Sequence, residues 1–122
     1  MSAIIHFFFE FQTNIKLYHW MTLSYARHKA ADELVEKMLD YSDKFMEVYI
    51  GKYGRPILLK KDNDIHLQKL DDENVTAFLE KAINFMLKEL PKHLKETDVD
   101  LFNLRDEIVS TLHQSKYLFT LQ

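Results

Sequence analysis

The chain has 122 residues, with 16 Lys and Arg against 19 Asp and Glu, and it contains no Cys. That length suits one domain able to bury a core without covalent staples, so residues 1–122 are read as a single domain. The lack of Cys excludes disulfides and thiolate metal sites, and the net charge of −3 gives no electrostatic reason to expect strong nucleic-acid binding.

Gly and Pro number 2 each, too few for a sheet protein with many tight turns. No basic run precedes the apolar stretch Ala3–Phe9, and that stretch is too short to span a bilayer. The expectation is a cytoplasmic protein with no membrane anchor.

The first predicted element runs from Ala3 to about Leu23. Ile4, Phe8, Phe11, Ile15 and Tyr18 keep helical spacing, although the Phe-rich run could pass locally for a strand. The second helix is expected from about Ser24, a plausible N-cap, to Ile50, with Leu34, Met38, Tyr41, Phe45 and Val48 as its main stripe. Gly51, Gly54 and Pro56 are expected to end it. Residues 57–70 have no clear period and read as a crossover from one end of a bundle to the other.

Asp71 or Asp72 can cap a third helix carrying Val75, Phe78, Leu79, Ala82, Met86 and Leu90, which Pro91 limits or kinks. Thr97 or Asp98 opens a fourth, with Leu101, Leu104, Ile108, Leu112, Ser115 and Phe119 on one face. Two long helices, a crossover and two further helices predict an all-α, ferritin-like four-helix bundle with a long connection between helices 2 and 3.

His28 and Asp32 share a helix face at i, i+4, and Asp43 and Glu47 repeat that spacing. At 100° per residue the four fall within an arc of about 100°, away from the main stripe. Val35, Leu39, Met46 and Ile50 lie beside them and give the helix a second, partly apolar face, as a subunit interface would. Asp32 and Asp43 are separated by about 16 Å along the axis, too far to hold one metal within a chain. An antiparallel two-fold axis between Lys37 and Met38 brings Asp32 opposite the partner copy's Asp43 and His28 opposite its Glu47, and both pairings share one midpoint, as an isologous dimer requires. His19, beside Trp20, can add a nitrogen if the first helix packs alongside. Two mixed His/carboxylate sites per dimer would suit iron, zinc or manganese.

At these residues the chain resembles the Dps mini-ferritins: His19-Trp20, His28-x3-Asp32 and Asp43-x3-Glu47, with ten residues between the two Asp. Gly51-Lys52-Tyr53-Gly54-Arg55-Pro56 is similar to the Gly-rich end of their second helix, and Leu112–Phe119 more loosely to their last. The chain is also similar to short ferritin-like proteins of large DNA viruses, for which the virion is a further expected location. The resemblance implies a ferroxidase. Ferrous iron would bind between two-fold subunits, be oxidised to the ferric state by peroxide or oxygen, and be stored inside a cage. His19, His28 and Asp32 would come from one chain, and Asp43 and Glu47 from its partner. The chain departs from the family in a His19–His28 spacing three residues shorter, a shorter overall length, and no lysine-rich tail of the kind many members use for DNA.

The plainer alternative is a ferritin-like bundle serving as a structural or interaction subunit, its acidic and His pairs being solvated or interface salt bridges. Trp20 reads as core packing. His6, His66, His93 and His113 read as structural or surface residues, Tyr18, Tyr25, Tyr41 and Tyr49 as packing with a wet hydroxyl, and Lys60-Lys61 as a solvated segment.

Overall fold

The computed structural model describes residues 1–122. It contains four α-helices and no strand: α1 (Ser2–Met21), α2 (Tyr25–Tyr53), α3 (Val75–Asn84) and α4 (Val99–Leu118). The all-α four-helix architecture expected from the sequence is present. α1 packs on α2, α2 on α4, and α3 on α4.

The turn between α1 and α2 is short and closed by its own side chains. The Thr22 amide donates to the Tyr18 carbonyl at 2.9 Å, and Ser24 Oγ accepts from the Arg27 amide at 3.2 Å. Ser24 is therefore the N-cap the sequence suggested, satisfying an amide that the first turn leaves without a helical partner.

α2 runs past Ile50 and through Gly51 to Tyr53. A single Gly inside a helix costs only about 1 kcal/mol, and the extra turn is tied down at its end. Tyr53 Oη donates to the Asp98 carboxylate at 2.6 Å, and Lys52 Nζ lies 3.0 Å from Asp98 Oδ1 and also pairs with Asp100. Gly54 then stops the helix at φ 83°, a left-handed conformation that glycine adopts without strain.

The crossover carries one short 3-10 turn, Lys60–Asp62, and runs from one end of the bundle to the other. At its start the Leu59 amide donates to Ser2 Oγ, beside the beginning of α1. At its finish Asp72 accepts from Tyr18 Oη and Thr22 Oγ1, at the far end of α1. Asn14 pins the middle, donating to the His66 carbonyl and accepting from the Gln68 amide.

The third element is not one continuous helix. α3 ends at Asn84, continues as a π-helical turn over Phe85–Glu89, and closes with a 3-10 turn over Leu90–His93. Pro91 has no amide hydrogen and its ring opposes an α-helical turn. The apolar stripe nevertheless holds, since Val75, Leu79, Ala82, Met86 and Leu90 are all buried. Every position of the α4 stripe, from Leu101 to Phe119, is buried as well. The core they share with Ile4, Phe8, Phe11 and Ile15 of α1 and Leu34, Met38 and Phe45 of α2 is one continuous cluster.

Candidate metal-binding face

The short turn after α1 sets the last turn of one helix against the first turns of the next. His19 and His28 meet there with ring centroids 3.9 Å apart and planes 18° from parallel. Each ring is bonded to the other residue's backbone. His19 Nδ1 lies 2.7 Å from the His28 carbonyl oxygen, and His28 Nδ1 lies 2.8 Å from the His19 carbonyl oxygen.

A carbonyl oxygen only accepts, so both Nδ1 atoms carry the hydrogen. In the neutral imidazole the lone pair then falls on Nε2 of each ring. This is how metal-ligating histidines are commonly oriented, with the second ring nitrogen bonded to a backbone carbonyl.

Asp32, one turn beyond His28, brings a carboxylate to the same place. Its Oδ1 is 3.8 Å from His19 Nε2 and 3.8 Å from Lys16 Nζ. At that separation neither is a hydrogen bond, and the Lys16 approach is a charge contact. His19 is buried, whereas the Asp32 side chain is 42% exposed and open to an approaching group. Lys16 was not singled out from the sequence. Its signal is the i, i+3 spacing to His19, which puts both on one face of α1.

Asp43 and Glu47 lie farther along α2, exposed, and they join none of the chain's ion pairs. The fold thus gathers His19, His28 and Asp32 and leaves Asp43 and Glu47 apart. No group of three or more His, Asp or Glu side chains within the chain is arranged to hold a metal ion.

The apolar residues on this face of α2 divide. Val35 is buried in the chain's own core, Met46 and Ile50 are half-buried, and Leu39 is 46% exposed. The second apolar strip is therefore narrower than its sequence pattern, with Leu39 as its free member.

Trp20 is not core packing. It is 66% exposed, with Lys16 Nζ 6.0 Å from its ring centre. Two residues after the buried Tyr18, its side chain is rotated by about 200° and leaves the core side. Tyr18 is the deeply buried tyrosine. Burial pushes its hydroxyl above the ordinary phenol range, while Arg27 and Asp72 hydrogen-bond to it from either side. No spacing rule points to this Tyr18–Arg27–Asp72 group, because its members come from three separate elements.

Of the remaining histidines, His6 holds the crossover, with Nε2 2.8 Å from the Asp64 carbonyl and 2.6 Å from Glu10. His93 Nδ1 lies 3.0 Å from the N-terminal amine, and burial lowers its pKa below the usual histidine value. Both are structural, as expected, although His6 does have a partner at helical spacing, Glu10 at i+4, which was not singled out from the sequence.

No helix is long and apolar enough to cross a membrane. The chain is 33% identical over 104 residues to an uncharacterized 14.6 kDa protein from the mobD-ri intergenic region of Enterobacteria phage T4, covering 85% of this chain and 75% of that one. No solved structure matches. A family profile matches residues 19–119, a span that includes all five candidate ligands, and the chain belongs to that family, the family of unknown function DUF5856.

Proposed function

We propose that this protein is a ferritin-like metal-binding protein that takes ferrous iron as substrate at a site shared by two copies. The observation that carries the reading is the reciprocal bonding of His19 and His28, which leaves an Nε2 lone pair on each ring, that of His19 3.8 Å from Asp32 Oδ1. Two neutral imidazoles and one carboxylate form half of a mixed nitrogen and oxygen ligand set suited to iron, zinc or manganese. Asp43 and Glu47 of a partner copy supply the other half in the antiparallel arrangement. The resemblance to the Dps mini-ferritins adds the reaction: one hydrogen peroxide accepts an electron from each of two ferrous ions and, with two protons, yields two ferric ions and two waters.

One observation favours the structural-subunit reading instead. Lys16 already places a cation 3.8 Å from Asp32, so the face is partly neutralised without any metal.

Mixing two inactive variants separates the readings. One carries His28→Ala with Asp32→Ala, and the other Asp43→Ala with Glu47→Ala. After joint unfolding and refolding, about half the dimers are mixed, and each mixed dimer regains one intact site and loses the other. About a quarter of all sites should then oxidise ferrous iron. With mixed dimers present, activity no higher than either variant alone would rule out the shared site. A wild-type protein that neither binds nor oxidises iron would leave the structural reading in its place.

A further inference from the structure

The two ends of the molecule carry surfaces of complementary character. At the α1–α2 turn lies an open cavity of about 770 Å³ between the end of α1 and the finish of the crossover. Its apolar wall is formed by Leu17, Met21, Leu23 and Leu67. Leu23 is 100% exposed and Met21 is 65% exposed, so this wall is turned to the outside. Asp71, Asp72 and Glu73 stand at the cavity; Asp72 is paired with Arg27, and Asp71 and Glu73 remain against one cation, Lys69.

At the opposite end the crossover begins with Ile57-Leu58-Leu59, three large apolar side chains in succession. All three are exposed, Ile57 at 81%. Consecutive exposed apolar residues in a loop are unfavourable unless something covers them. Arg55 precedes this run and Lys60 and Lys61 follow it, all exposed, with no acid among residues 55–61. The segment is held in shape by the bond from the Leu59 amide to Ser2 Oγ and by the 3-10 turn that starts at Lys60.

α1 runs between the two surfaces, and its 20 residues span about 30 Å at 1.5 Å per residue. Leu59 is pinned to the start of α1 while the cavity lies at the end of α1, so a chain does not fill its own cavity. An apolar, acidic hollow at one end and an apolar, basic projection at the other describe a head-to-tail contact. We propose that the Ile57–Lys61 segment of one copy docks into the Leu17/Met21/Leu23/Leu67 cavity of the next. Such a heterologous contact builds a closed ring or an open chain, according to the rotation between neighbours. It is independent of the two-fold contact along α2 and of any metal.

The experiment uses the full chain and two variants, Ile57→Asp and Leu23→Asp, both altered at side chains with little or no packing role. Circular dichroism and thermal unfolding establish that each is folded. In sedimentation velocity the wild type forms a species larger than a dimer as concentration rises. Each variant alone loses that species, with association weakened at least tenfold. A mixture of the two associates again, because the intact segment of the Leu23→Asp chain enters the intact cavity of the Ile57→Asp chain. Lys60→Glu with Lys61→Glu weakens assembly severalfold, and the wild-type contact weakens with added salt. A wild type no larger than a dimer overturns the proposal and assigns the cavity to some other occupant. Undiminished assembly of the Ile57→Asp protein overturns it too. So does a mixture of the two variants that stays unassociated.

Discussion

Tyr53, the last residue of α2, donates its hydroxyl to the carboxylate of Asp98, the residue before α4, with 2.6 Å to each oxygen. Asp98 also accepts from the Lys95 amide and pairs with Lys52, and it is almost fully buried. The Lys95 amide bond, then the Tyr53 and Lys52 bonds, hold its carboxyl down to about 2. One carboxylate thereby joins the end of α2, the loop before α4 and α4 itself.

Acid sensitivity follows from that depression. A carboxyl whose folded value lies below its unfolded value of 3.8 adds stability above that value, and the contribution is lost as pH falls through about 2. Asp98→Asn is expected to lower the Tm by several degrees at pH 7, with the gap to wild type closing as pH approaches 2. Tyr53→Phe should act in the same direction and less strongly, since the Lys95 and Lys52 bonds remain. Thermal unfolding across pH checks both. An unchanged Tm for Asp98→Asn at pH 7 would show that the junction does not stabilise the fold.

The tautomers of His19 and His28 are directly observable. Long-range proton–nitrogen correlation spectra of the metal-free protein, taken on the alkaline side where both imidazoles are neutral, should show Nδ1 protonated and Nε2 unprotonated in both rings. Adding Zn²⁺ to the assembled protein should then move the Nε2 resonances most. Protonated Nε2 in either ring would remove the basis of the metal-binding reading.

Ser24→Ala tests the turn that brings those two residues together. Loss of its bond to the Arg27 amide is expected to cost about 1 kcal/mol of stability, as N-cap removal commonly does. Chemical denaturation gives the value. Because the cap precedes His28 by one turn, metal affinity should fall with it, whereas Asp98→Asn at the other end should leave affinity nearly unchanged.

The helices were legible where burial follows periodicity. The α4 stripe and Ser24 could be read directly, and so could the crossover, which shows no period. The break at Phe85 was not legible, because the stripe continues through Met86 and Leu90 although the backbone changes form. The extension to Tyr53 was hidden for a different reason, since its anchor, Asp98, is 45 residues distant. At the candidate site, spacing marked His28, Asp32, Asp43 and Glu47. The bonds between His19 and His28 depend on the geometry of Thr22–Ser24, which no spacing rule encodes. Trp20 shows the limit of composition, since its large apolar side chain fits a core but its place on α1 faces outward.

Leu39 carries the most economical test of the two-fold contact. It is 46% exposed and lies on the arc of α2 shared by His28, Asp32, Asp43 and Glu47. Under the antiparallel axis it faces Glu36 of the partner copy, because residues 36 and 39 have the same midpoint as the two ligand pairs. Leu39→Glu leaves the chain's own core intact, since the side chain already reaches solvent. It also puts a carboxylate into the contact opposite the partner's Glu36, a like-charge pairing that is strongly unfavourable once desolvated. The expected result is a folded protein with nearly unchanged helicity whose α2-mediated dimer is lost, weakened at least tenfold in sedimentation equilibrium. Metal binding should fall in parallel, since the partner's Asp43 and Glu47 would no longer be supplied. A variant that becomes monomeric yet keeps full metal affinity would show that one chain binds the metal alone. A variant that stays dimeric would place the two-fold contact on another face of the molecule.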